Sequence, residues 1–157
     1  MIPNRIVIDT NVCLDLFVFR DPRWQRLLAA LQNGTVEAVT RADCRTEWLI
    51  VLGYAQLKLD ENTRQRSMAE FDAVIHCLPN CVQQSDAVRL PVCKDRDDQK
   101  FLELARDAQA SALITKDKAL LKLASKTRRD GLFLIFKPEI WIASYATSID
   151  IKTISIN

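Results

Sequence analysis

Glycine and proline are scarce in this chain of 157 residues, with 3 and 5 copies, and histidine occurs once. So few turn-forming residues argue against disorder and against a turn-rich all-β fold. The lone histidine, His76, excludes catalysis by a histidine pair. No apolar run approaches the ~20 residues needed to span a bilayer. The N-terminus has no basic stretch leading into an apolar one, so no secretory leader is expected. The formal net charge is only +2, too small to announce nucleic-acid binding, which has to rest on local patches. GxGxxG, GK[ST] and GxSxG are all missing, and with them the signatures of nucleotide-cradling folds and serine hydrolases. The 5 cysteines (Cys13, Cys44, Cys77, Cys81 and Cys93) are odd in number and irregularly spaced, unlike a disulfide framework. Reduced thiols and a cytoplasmic location are expected. His76, Cys77 and Cys81 lack the second ligand pair that a structural zinc site needs.

What is present is the balance of an ordinary globular domain, 48% hydrophobic and 27% charged, of a size that suits one core. Residues 5–9, RIVID, read as a buried strand, followed by a helical turn from Asn11 to Phe17. Asp21 and Pro22 give a helix start, with Trp24, Leu27, Leu28 and Leu31 at helical spacing and Gly34 as the stop. A strand is expected over 35–39. A helix over 42–57 should present Ile50, Val51 and Tyr54 on one face, and a helix over 62–77 should bury Met68, Ala69, Phe71 and Ile75. After an irregular stretch over 79–94, with a short strand near 87–90, Asp95 looks like an N-cap. Phe101, Leu104, Ala105 and Ala108 form the next helical stripe. Ala112–Thr115 is a strand, Asp117 opens a short helix, Leu132–Phe136 is the last strand, and Pro138 begins a terminal helix. Short apolar strands alternating with amphipathic helices predict an α/β domain with a mostly parallel sheet and helices on both faces. The domain is expected over 1–145. Residues 146–157 form a C-terminal tail or arm, with isoleucines alternating at 149, 151, 154 and 156.

The chemistry lies in four acids. Asp9 ends the first apolar strand, where a charge is costly unless paired. Asp117 lies just past the carboxyl end of the ALIT strand, and in open parallel sheets ligands gather outside that edge. Asp98 precedes Phe101 and Ala105 at helical spacing, and Glu47 precedes Ile50 and Val51, so both are placed on inward helix faces. Singly, Asp117 reads as a cap, Asp98 as a favourable charge at a helix start, and Glu47 as a surface residue. Together they make a carboxylate cluster whose mutual repulsion a divalent cation relieves. Oxygen ligands favour Mg²⁺ or Mn²⁺, and hydrolysis of a phosphodiester is the natural chemistry. An Asp-nucleophile phosphatase would want an acid two residues after Asp9, where Asn11 stands. Lys116 and Lys118 flank Asp117 and are candidates for contact with RNA phosphates. The cluster of Lys122, Lys126, Arg128 and Arg129 and the group of Lys58, Arg64 and Arg66 read as solvated faces. Trp48 and Tyr54 read as core.

From Arg5 to Trp141 these residues resemble the PIN-domain nucleases. Asp9-Thr10-Asn11-Val12 looks like that family's opening signature, and Glu47 within TEWLIVL is similar to its second acid. KDRDDQKFLELA resembles the third signature, which assigns its role to Asp98 and leaves Asp95 and Asp97 secondary. LITKD resembles the fourth, with Thr115 and Asp117. The nearest branch holds toxin components of toxin–antitoxin pairs, relatives of the VapC-like toxins. The resemblance implies a three-layer α/β/α fold with a mostly parallel central sheet. It also implies a Mg²⁺- or Mn²⁺-dependent endoribonuclease that cuts to leave a 5′-phosphate, with Asp9, Glu47, Asp98 and Asp117 as catalytic and metal-binding residues. Thr10, Asn11, Thr115 and Asp95 are then supporting residues. RNA is the expected substrate, an antitoxin the expected protein partner, and a homodimer a frequent state. The alternatives are an RNA-processing PIN nuclease that is not a toxin, or a PIN module that holds RNA or protein without cutting. Cys13 stands where the family has an aliphatic residue, a small apolar change.

Overall fold

The computed structural model describes residues 1–79 and 88–145. Five strands, β1 (Ile2–Ile8), β2 (Glu37–Thr40), β3 (Ile75–Cys77), β4 (Ala110–Ile114) and β5 (Leu134–Phe136), form one all-parallel sheet in the order β3-β2-β1-β4-β5. The connections are helical: α1 (Thr10–Phe17), α2 (Gln25–Gln32), α3 (Ala42–Leu52), α4 (Glu61–Val74), α5 (Gln99–Asp107), α6 (Lys118–Leu121) and α7 (Ala124–Arg129). A further helix, α8, occupies 138–145. No helix among the described residues is long and apolar enough to cross a membrane.

Strand alternation divides the core in two. Ile6, Ile8, Ala38, Ala112 and Ile114 face a cluster with α1, Trp24, Leu27, Leu31, Trp48, Leu52, Phe71 and Trp141. Val7, Val39, Leu113 and Ile135 face the other side, against Phe101, Leu102, Leu104, Ala105 and Leu120. Helices therefore cover both faces, giving the expected three layers. Trp48 stacks on Phe71 at 5.0 Å between ring centroids, and Phe17 meets both edge-on.

The structure departs from the sequence reading in several places. β1 begins at Ile2 rather than Arg5, because its exposed first half carries no apolar signal. That half passes through Asn4 at φ 66 and a register irregularity against β4. α3 stops at Leu52 with Gly53 as its cap, and a separate 3₁₀ turn covers Ala55–Leu57. Its core face is Cys44, Trp48 and Leu52, whereas Ile50 and Tyr54 are exposed. α4 ends at Val74, and Ile75–Cys77 pairs with β2 as the edge strand β3. Its buried side is Ser67 and Phe71, with Met68 half-buried and Ala69 exposed. No strand occurs over 88–90; position 87 and the tail over 146–157 lie outside the described residues.

Arg41, at the carboxyl end of β2, joins α3 to α5 through Asp43 (2.7 Å), Glu103 (2.9 Å) and Asp107 (3.7 Å). The Arg41 guanidinium holds the Asp43 carboxyl down to about 2. Arg41→Ala strands three acids beside one another and should cost about 1–3 kcal/mol in urea unfolding. A loss under about 0.5 kcal/mol would show that the network adds nothing beyond a solvated surface.

Candidate active site

The strand order reverses at β1. The chain moves outward through β2 and β3, then returns to the other side of β1 for β4. The carboxyl ends of β1 and β4 therefore flank a switch-point crevice. Ile8 pairs with Ile114, so the next residues, Asp9 and Thr115, stand side by side. Asp9 is 4% exposed and Thr115 fully buried. The Thr115 hydroxyl donates to Asp9 Oδ2 at 2.6 Å and accepts the Asp117 amide at 3.0 Å. One hydroxyl thus fixes both acids. Asp117 caps α6 by accepting the Ala119 amide at 3.0 Å. The backbone carbonyl of Asp9 accepts the amides of Val12 and Cys13, starting α1 directly from the acid.

Asp9, Thr10, Asn11, Leu14, Glu47, Val51, Asp98 and Asp117 line one open depression of about 330 Å³. The four acids, drawn from four segments, share this wall. Glu47 reaches it from the flank of α3, beside Val51, and not from the helix's buried stripe. Its Oε2 accepts the Thr10 hydroxyl. Asp98 closes the 3₁₀ turn Arg96–Asp98 just ahead of α5 and is half-buried. Asp95 is exposed and caps that turn by accepting the Asp97 amide. It supports the loop that presents Asp98 and is not on the wall of the depression.

Crowding of like charges leaves its mark. Burial, reinforced by Glu47 and Asp117, pushes Asp9 up to about 6 against the opposing bonds from Thr115 and Thr10. Burial and a hydrogen bond with Asp117 push Asp98 up to about 8, and Asp117 is lowered by the same bond. The two carboxyls are close enough to influence each other's titration. Asn11 Oδ1 is buried on this wall with no hydrogen-bond partner among the described residues.

Two residues near the site have no sequence signature. Lys100 Nζ lies 2.9 Å from Glu47 Oε1 and also donates to the Asp97 carbonyl. Asp15, buried on α1, accepts Trp24 Nε1 at 3.2 Å and pairs with Lys116 at 2.6 Å. Lys116 is thereby tied to the fold, while Lys118 is exposed and has no ion-pair partner among the described residues. A buried acid at position 15 and a lysine following the run of aspartates were the available hints. Neither falls in a strand-end or capping pattern.

The PIN domain family matches over residues 5–119, well over half of the chain. The chain belongs to the PIN-domain family. Search of curated proteins finds no match. PIN domains are generally nucleases and generally use divalent metal ions, so the fit of this PIN depression to such an ion can be judged from its donors. Among the described residues, no three His, Cys, Asp or Glu side chains close on one point as a finished metal cage. The PIN site offers instead an open wall of carboxylates plus an amide oxygen of Asn11 that has no partner among the described residues. Mg²⁺ typically takes one or two carboxylates and keeps several waters, so an open oxygen wall of this kind fits it.

Thr115→Val tests the architecture of the PIN site. The swap keeps volume but leaves Asp9 Oδ2 and the Asp117 amide without their shared partner. It should cost about 1–3 kcal/mol and move Asp9 further upward, since the Thr115 bond lowers it. A carboxyl NMR titration reads this; an unmoved Asp9 would mean that the hydroxyl does not hold it.

Proposed function

We propose that this PIN domain is a Mg²⁺- or Mn²⁺-dependent endoribonuclease and the toxin of a toxin–antitoxin pair. The observation that carries the catalytic reading is the depression at the β1/β4 switch point, walled by Asp9, Glu47, Asp98 and Asp117. Once bound, a divalent ion supplies Lewis acidity to the scissile phosphoryl group and acidifies water for the attack. Asp9, Glu47, Asp98 and Asp117 are the residues that would hold it. Thr115 keeps Asp9 and Asp117 in mutual register, and the Ala119 amide fixes the rotamer of Asp117. Leu14 and Val51 give the depression an apolar flank. Lys118, exposed next to Asp117, is placed to meet a backbone phosphate of RNA. The product set is a 5′-phosphate and a 3′-hydroxyl.

Cleavage of a mixed RNA pool with Mn²⁺, with Asp9→Asn as the control, tests the reaction. Equal cleavage by both proteins would assign the activity elsewhere. Growth arrest on expression, relieved by the same substitution, tests the toxin role; cleavage without arrest would favour an RNA-processing nuclease. An antitoxin that covers the acidic depression and a homodimer complete the reading. The formal net charge of only +2 favours a second reading, a module that binds RNA or protein without cutting. Absence of Mn²⁺ uptake in calorimetry would decide for it.

A further inference from the structure

The connection from β4 to β5 carries charge of one sign. Five of the chain's 22 lysines and arginines fall within residues 118–129, a stretch that holds no acid, so the remainder of a chain of net charge +2 is acidic. Elsewhere the fold pairs its cations: Arg5, Arg20, Arg41, Arg45, Arg64 and Arg106 each meet an acid. Lys118, Lys122, Lys126 and Arg128 have no ion pair among the described residues, and Arg129, 74% exposed, comes only within 3.9 Å of Asp130.

These bare cations are ordered. Asp117, on the wall of the depression, caps α6, and Lys118 is the first residue of that helix. Lys122 and Leu123, between α6 and α7, keep right-handed helical dihedrals, so the helical phase carries through from 118 to 129. Leu120 and Thr127 mark its inner side and are fully buried. Lys118, Lys122, Lys126 and Arg129 follow one another at about one helical turn on the opposite, exposed side. At ~1.5 Å per residue, neighbours on this ridge are about 6 Å apart and the whole ridge is about 16 Å long. It leads from the carboxyl end of β4, beside the acids, towards the amino end of β5. At its far end a cavity of about 270 Å³ opens between α7 and β5, with Ser125, Arg128 and Arg129 set against Leu134 and Ile135. Like charges one turn apart destabilise a helix, and a polyanion relieves them. A single row of cations follows one phosphate backbone, as in single-strand binding. No aromatic residue occurs over 118–129, so the ridge has nothing on which bases could stack.

We propose that the ridge of Lys118, Lys122, Lys126 and Arg129 is the track for the backbone of a single-stranded RNA where it leaves the depression, held through its phosphates and therefore without base preference. This rests on the RNA-cleaving reading above and adds where the strand lies outside the site of cutting.

Fluorescence anisotropy of a labelled single-stranded RNA of mixed sequence, in EDTA and across a salt series, tests the track without cleavage. Lys122→Gln with Lys126→Gln should weaken binding about 10-fold at ~0.1 M salt and lower the salt slope by about 1.4, two contacts at ~0.7 each. Lys122→Arg with Lys126→Arg should bind as the unaltered protein does. Arg26→Gln with Arg66→Gln removes the same charge from exposed positions on α2 and α4, across the sheet, and should change affinity less than about 2-fold. An equal loss in that protein would credit net charge and overturn the track. A protein that cuts RNA with Mn²⁺ but binds none in EDTA, or binds it equally with and without Lys122 and Lys126, would overturn the track alone. A protein that neither binds nor cuts RNA would remove the ribonuclease reading with it. Binding of poly-glutamate that depends on Lys122 and Lys126, with RNA binding that does not, would assign the ridge to an acidic protein partner instead.

Discussion

Replacing Asp9 with Asn is expected to lower Mn²⁺-dependent RNA cleavage by about 10²–10³-fold while making the ion-free protein more stable at pH 8. The two effects have one cause. Asp9 is buried at the end of the central strand, and burial pushes it up to about 6 from an ordinary value of 3.8. At pH 8 it is ionised in a place that disfavours the charge, at a cost of about 3 kcal/mol relative to its unfolded state. Asparagine keeps the shape and can still accept the Thr115 hydroxyl, so about 2–3 kcal/mol of that cost should return as stability. The same substitution removes the anionic oxygen best placed between β1 and β4. An active site that gains stability when its acid is neutralised is the expected signature of strain retained for function. Chemical denaturation at pH 8, alongside the cleavage assay, reads both halves. A destabilised Asp9→Asn protein would mean that Asp9 serves the fold as an N-terminal charge for α1 and not a ligand.

The second large effect is on pH dependence. An acid whose folded pKa lies above its unfolded value contributes stability at low pH that is lost as pH rises through the folded value. For Asp9 the window runs from about 4 to about 6, and for Asp98 it extends to about 8. Asp9 alone should make the ion-free protein roughly 1–2 kcal/mol less stable at pH 8 than at pH 5. Asp98 adds in the same direction, with a share reduced by solvent screening. Asp43, held down to about 2 by Arg41, works the opposite way but only as the pH falls below 4. Divalent ions should reverse the trend. Binding favours the ionised forms of the Asp9 and Asp98 carboxyls, both raised in the ion-free protein, so Mn²⁺ stabilises more at pH 8 than at pH 5, and calorimetry in buffers of different ionisation enthalpy should register proton release. A stability that rises between pH 5 and pH 8 without metal, or binding with no proton released, would contradict the crowded-acid description.

Much of this arrangement is legible in the sequence, for identifiable reasons. Asp9 and Asp117 follow apolar runs too short for helices, so their placement at strand ends needs only the parallel-sheet rule. Their convergence follows from β1 and β4 being neighbours. Helical phase separates Asp98 from Asp95 and Asp97: the structure puts Asp98 on the wall and leaves the other two exposed. Glu47 is harder to place. α3 carries apolar residues on more than one side: spacing alone suggests Ile50, Val51 and Tyr54 as the inward face, whereas Cys44, Trp48 and Leu52 are the residues that pack. It still reaches the depression because Val51 borders it. β3 was hidden because Ile75 continues the apolar spacing of α4 and only its pairing with β2 reveals a strand. Lys100 and Asp15 were invisible because their partners, Glu47 and Lys116, lie 53 and 101 positions away in the chain. Long-range pairing of charges leaves no local pattern.

Anomalous diffraction from crystals soaked in Mn²⁺ addresses the acidic depression most directly. Manganese should appear in the depression between β1 and β4, against the carboxylates of Asp9, Glu47, Asp98 and Asp117 that wall it. Carboxylates hydrated one by one, with no manganese peak among them, would contradict it.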